Sequence, residues 1–171
     1  SVGRLDSMKR LDLLIRAMKF TSPGLNCLIG GTGAEHEVIP LKRLASEQGV
    51  SDRVKFLGFV SDEDLLKLYA RCLCVYYAPK DEDYGYITLE AFFSHKPVIT
   101  TCDAGGVLEF AENDVNAMVT EPDPEQIGQA INQLYLNKKM ARDFGQSGYQ
   151  TVKDISWDNA LDRLMAFSGL E

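Results

Sequence analysis

The chain has 171 residues, 45% hydrophobic and 25% charged, enough to bury one core. Its formal net charge of −7 and isoelectric point near 4.9 argue against nucleic acid as a partner, because phosphate polymers are bound through excess lysine and arginine. No apolar run approaches the roughly 18 residues of a membrane-spanning helix.

In chain order, short apolar runs alternate with helical stretches. "VGRL" (2–5) reads as a first strand, and its abrupt opening suggests a domain cut from a longer protein. "MKRLDLLIRAMKF" (8–20) has helical period, with Leu11, Leu14, Ile15 and Met18 on one face. "LNCLIGG" (25–31) and "RVKFLGF" (53–59) are further strands, with His36 on a surface helix between them. "SDEDLLKLYARC" starts a helix with Ser61 as N-cap and Asp64 three residues on, close to a capping box. "CLCVYYA" (72–78), "PVITT" (97–101) and "NAMVT" (116–120) complete six strand candidates, several nearly continuous in apolar character.

"YITLEAFFS" is a helix opened by Gly85, and "DPEQIGQAINQLY" another, with Asp123 as cap and Pro124 at its first position. Two last helices fall near 138–147 and 156–167, the second capped by Ser156. This alternation predicts an α/β, Rossmann-like doubly wound parallel sheet of about six strands, forming one domain over residues 1–171. The four cysteines sit in apolar stretches without a C-x-x-C pair, and read as free thiols of a reducing cytoplasm, with Cys72 and Cys74 on one face of a strand.

In doubly wound sheets ligands bind beyond the carboxyl ends of the strands, so the loops there hold the candidates. Arg4 and Lys9 in "GRLDSMKR" pair a planar fork with a point charge, a combination suited to a diphosphate. "GGTGAEHE" carries Gly31-x-Gly33, but His36 stands where a dinucleotide fingerprint needs its third glycine. In "EDYGYITLE", Glu82 precedes the helix that Gly85 opens, whose free N–H groups at Tyr84–Ile87 face an anion. Glu90 lies one helical turn on, between apolar Leu89 and Ala91, where an unpaired charge is costly. A carboxylate there suits the two hydroxyls of a ribose, being acceptor-only with two oxygens. Gly105 and Gly106 in "TTCDAGGVLEF" form another glycine turn able to cradle an anion.

Taken together, "VGRLDSMKRLDLLIRAM", "LIGGTGAE", "DRVKFLGFVSDEDLLKLYARC", "EDYGYITLEAFFSHKPVI", "TCDAGGVLEF" and "NAMVTEPDPEQI" resemble, in order, the C-terminal half of a GT-B fold glycosyltransferase of the retaining family 4, glycosyl transferases group 1. The most specific element is Glu-x7-Glu, met by Glu82 and Glu90. The resemblance implies that Arg4 and Lys9 hold the donor diphosphate, Glu82 the transferred sugar and Glu90 the ribose. The backbone at Tyr84, Gly85, Tyr86 and Ile87, with Gly105 and Gly106, would meet sugar and phosphates, and the base would sit near Gly33 and Leu57–Phe59, including Gly58. It further implies retention at the anomeric carbon, no cofactor and no metal, and an acceptor-binding N-terminal domain outside this chain. A glycan or lipid acceptor and a cytoplasmic parent with peripheral membrane contact are expected. The fragment alone is expected to be inactive, with exposed apolar surface near Trp157 and Phe167.

Four positions depart from the pattern. Arg10 follows the lysine where glycine or asparagine is frequent, Tyr84 and Tyr86 replace phenylalanine and leucine, and His95 replaces a helix-ending glycine. Histidine tolerates the left-handed region, so His95 reads as a cap and not as a base. The alternatives are an epimerase-type domain of the same architecture and a non-catalytic nucleotide-sugar-binding or interaction module.

Overall fold

Among the residues described by this computed structural model, 1–156 and 159, five short strands are all paired in parallel. β1 (Cys27–Gly30) pairs with β2 (Val54–Gly58), while β3 (Val75–Tyr76), β4 (Val98–Thr101) and β5 (Ala117–Thr120) form a second ladder in that order. Every residue of β3 and β4 is buried, as expected of strands covered on both faces.

The expected first strand is the main correction. Val2 makes only a single bridge to Gly30. Gly3 N–H donates to Gly30 O at 3.0 Å and Leu5 N–H to Thr32 O at 2.9 Å, whereas Cys27 and Gly31 donate the other way, to Arg53 O and Gly58 O. Residues 1–5 therefore run along the edge of β1 opposite β2. Gly3 interrupts them with φ +132°, and a Cβ on the facing Gly31 would lie 1.7 Å from Gly3 O. These glycines let two backbones meet closely, and the ladder breaks there.

A second correction concerns residues 8–20. Ser7–Lys9 form a 3₁₀ turn, Arg10 is left-handed at φ 46°, and α1 (Leu11–Ala17) begins only after it, running into a 3₁₀ turn at Met18–Phe20. The predicted face holds: Leu11, Leu14, Ile15 and Met18 are buried in one cluster with Ile127 and Leu134. Full burial of a residue such as Ile15 contributes roughly 1.5–3 kcal/mol.

α2 (Glu35–Glu47) carries an exposed His36. α3 (Asp62–Arg71) is capped as expected, with Asp64 N–H donating to Ser61 Oγ at 3.2 Å. Cys72 closes this helix instead of sharing a strand face with Cys74, because β3 starts only at Val75. α4 (Tyr86–Phe93) starts at Gly85, whose φ is 76°, and ends before His95, whose φ of 55° matches its expected role. α5 (Pro124–Leu136) has the predicted Asp123 cap, and α6 (Lys138–Val152) is capped by Asn137. α6 packs on α4 through Gly148, where a Cβ would meet the Phe92 ring at 2.3 Å. The expected helix at 156–167, with Trp157 and Phe167, lies outside the described residues, although Asn159 N–H donates to Ser156 Oγ at 3.1 Å.

Candidate functional site

The loops after the strands meet on one rim. Lys9 ends the 3₁₀ turn of the first loop, and its ammonium donates to Glu82 Oε2 and, at 3.1 Å, to the Tyr77 hydroxyl. Tyr77 in turn donates to the same Glu82 oxygen at 2.6 Å. The Lys9 and Glu82 side chains are 19% and 25% exposed, so the pair is shielded yet open to a ligand. Hydrogen bonds from Lys9 and Tyr77 hold the Glu82 carboxyl below the usual glutamate range. Burial, then the hydrogen bond to Glu82 and the charges of Glu82, Asp6 and Glu90, push the Tyr77 hydroxyl well above its ordinary value. Tyr77 thus stays a neutral donor, set between the Lys9 ammonium and the Glu82 carboxylate.

Arg4 is placed differently. Its side chain is 80% exposed and donates to Asp6 Oδ2 at 2.7 Å. Together with Gly3, Gly31, Phe59, Ile87 and Glu90 it lines an open groove of about 440 Å³. Glu90 Oε2 accepts from the Tyr69 hydroxyl of α3 at 2.7 Å. Burial and this carboxylate push the Tyr69 hydroxyl far up, so it too remains a donor. Glu90 itself is exposed, while Leu89 and Ala91 are buried. The expected cost of an apolar setting therefore does not apply: 100° per residue turns the carboxylate off the buried face and into the groove.

The glycines play different parts. Gly85 opens α4 in the left-handed region with no side-chain cap, leaving the first N–H groups near Tyr86 and Ile87 without an intrahelical acceptor. Gly33 and Gly58 are both exposed: a Cβ on Gly33 would come 2.2 Å from Leu5 O, whereas Gly58 (φ 71°) faces open space. Gly105 and Gly106 lie under the Glu82 loop, where a Cβ would come 2.6 Å from Glu82 O and 2.2 Å from Asp83 O. Gly106 N–H already donates to Glu82 O at 2.6 Å, so this pair supports Glu82 by close approach. Tyr84 packs between Tyr86 and the Phe110 ring, with centroids 5.0 and 5.3 Å away.

Four residues of the site escaped the sequence reading as site residues: Arg10, Tyr69, Tyr77 and Asp103. Arg10 donates to Ala78 O, Pro79 O, Thr101 Oγ1 and both Asp103 carboxylate oxygens, all at 2.7–2.8 Å. Its hydrogen bonds lower the Asp103 carboxyl to about 2. The available signal was the departure itself, since a position frequent in glycine or asparagine is one that needs a left-handed backbone.

Known proteins share this arrangement of chain. Residues 1–151 match the family described as glycosyl transferases group 1. Over 169 residues the chain is 28% identical to the human alpha-1,3/1,6-mannosyltransferase ALG2, covering 90% of this chain and 40% of that protein. It is 30% identical over 168 residues to a D-inositol 3-phosphate glycosyltransferase of Mycolicibacterium smegmatis, covering 96% of this chain and 38% of that one. The structure of Anabaena HepE in complex with UDP superposes with TM-score 0.87 at 24% identity, over 99% of this chain and 48% of HepE. The C-terminal domain of a glycosyl transferase group 1 protein, LpcC of Francisella tularensis, does so with TM-score 0.78 at 25% identity, over 89% of this chain and 82% of that domain. The chain spans about 40% of the length of the curated relatives it matches. Its fold is the Rossmann-like half of a GT-B glycosyltransferase, and the chain belongs to the glycosyl transferases group 1 family.

Proposed function

We propose that this chain is the donor-binding half of a retaining glycosyltransferase that moves a sugar from a nucleoside-diphosphate sugar to a glycan or lipid acceptor. The observation that carries this reading is the Lys9–Tyr77–Glu82 cluster, with the helix N-terminus that Gly85 leaves without a side-chain cap and a groove lined by Arg4 and Glu90. A cation, free backbone donors and two separated carboxylates match a diphosphate flanked by two polyols. HepE has been solved with UDP and with UDP-glucose, and ALG2 is named a mannosyltransferase, which supports a sugar nucleotide as the donor class.

In this reading Glu90, oriented by Tyr69, accepts from the ribose hydroxyls. The diphosphate lies against Arg4, Lys9 and the N-terminus of α4. Glu82 accepts from hydroxyls of the transferred sugar. When the anomeric C–O bond breaks, its electron pair goes to the leaving diphosphate, and Lys9 and the α4 N–H groups stabilise that charge. The acceptor oxygen then bonds to the anomeric carbon on the same face, and its proton passes to the departing phosphate. No metal or cofactor is part of this reading. Acceptor binding is assigned to polypeptide outside these residues, in a cytoplasmic parent with peripheral membrane contact.

Calorimetric titration with UDP, GDP and ADP, each free and sugar-linked, tests the reading. Saturable binding of one nucleotide that Glu90→Ala weakens, with Glu82→Ala reducing mainly the discrimination between sugar-linked and free forms, is the expected result. Absence of binding to the full-length parent at millimolar ligand would overturn it.

A further inference from the structure

We infer that Arg10 is a positioning residue: its guanidinium clamps the loops that carry Lys9, Glu82 and Gly105–Gly106 into one rim. The purpose of that clamp rests on the donor-site reading above, but its geometry does not. Arg10 directly follows Lys9 and adopts φ 46°, ψ 44°, a backbone that a long side chain rarely takes without compensation. The compensation is visible. Nε donates to Ala78 O, one terminal nitrogen to Asp103 Oδ2, and the other to Pro79 O, Thr101 Oγ1 and Asp103 Oδ1. The side chain is 15% exposed, and Tyr76 Oη donates to the Arg10 carbonyl at 3.1 Å.

Each acceptor leads to a site residue. Ala78 and Pro79 begin the loop that reaches Glu82. Asp103 begins the loop that reaches Gly105, and its carbonyl accepts from Asp81 N–H at 3.1 Å. Glu82 N–H then donates to Ala104 O, and Gly106 N–H to Glu82 O, so the two loops run side by side up to the glutamate. One planar fork thus fixes the spacing between the Lys9 ammonium and the Glu82 carboxylate. Lysine offers a point charge without that fork, so it cannot substitute. Arg10 touches no ligand in this account; it acts through Lys9 and Glu82.

A titration of the Glu82 carboxyl by carbon-13 NMR in the 171-residue chain reads this without any ligand. Glu82 faces Lys9 Nζ, the Tyr77 hydroxyl and the Asp83 N–H. Arg10→Gly removes the fork and also relieves the left-handed backbone, so the variant keeps its fold; Arg10→Lys keeps the charge alone. Both are expected to raise the Glu82 midpoint toward the ordinary glutamate range, while Arg53→Ala, which removes a comparable fork far from the rim, leaves it in place. UDP affinity by calorimetry should fall about tenfold in Arg10→Gly. A wild-type midpoint in folded Arg10→Gly, or an equal rise in Arg53→Ala, overturns the clamp. If the midpoint rises but the full-length parent binds no nucleotide, the clamp stands and the donor reading falls.

Discussion

Two arginines tie loops together, one at the amino ends of the first ladder and one at the carboxyl ends of the second, and their difference separates scaffold from site. Arg53 precedes β2 and donates to Thr21 Oγ1, Ser22 O and Met18 O, all neutral acceptors at the amino ends of the strands. Arg10 sits at the carboxyl ends, in a left-handed backbone, and adds a carboxylate to its acceptors. The Arg53 fork closes the turn after α1 onto the sheet. The Arg10 fork holds the ground on which Lys9 and Glu82 meet. The same side chain thus stabilises a fold at one end and sets a distance between charges at the other.

The largest effect expected at the rim is that of Lys9→Ala, which should lower transfer by the whole protein about 10²–10³-fold, as does removal of an oxyanion donor. Arg53→Ala should leave the turnover of folded protein unchanged. A Lys9→Ala enzyme with near wild-type kcat would erase the contrast between the two ends. Next in size, Arg53→Ala should cost about 2 kcal/mol from its lost hydrogen bonds. In a chain of this size that lowers Tm by roughly 4–8 °C, readable by calorimetry. A Tm unchanged by Arg53→Ala would show that the amino end does not depend on its fork.

Tyr69→Phe removes the one donor to Glu90 among the described residues and should weaken nucleotide binding by roughly two- to tenfold, with little loss of Tm. Unaltered affinity would mean that Glu90 orients itself. The smallest effect is acid-dependent. The folded Asp103 carboxyl is lowered from 3.8 to about 2 by Arg10, so the unfolded chain takes up its proton first as pH falls. The stability from this pair is therefore complete above the ordinary aspartate range and lost as pH drops toward about 2. Asp103→Asn should flatten the acid limb of thermal melts, and Arg53→Ala should not. Parallel acid limbs in Asp103→Asn and wild type would remove the electrostatic difference between the two forks.

Much of the fold was legible because it depends on near neighbours. Apolar runs located all five described strands, and the caps at Ser61 and at Asp123–Pro124 rest on contacts within three residues. Glu82, Gly85 and Glu90 were likewise marked by spacing within one loop and helix. Where local reasoning failed, a distant partner had decided. Residues 2–5 look like a strand, but the approach of Gly31 to Gly3 breaks the ladder. Residues 8–10 look helical, but Arg10 leaves the helix to reach Asp103, 93 positions away.

The partners of the two glutamates were decided the same way. Tyr69 is 21 positions from Glu90, and Lys9 is 73 from Glu82. The sequence by itself determined the order of strands and helices, the caps and the places where carboxylates and cations line a rim, since propensity, period and turn chemistry act over a few residues. Only the tertiary structure decided which of those charges touch, because loops far apart in the chain come together only when a parallel sheet aligns the ends of its strands.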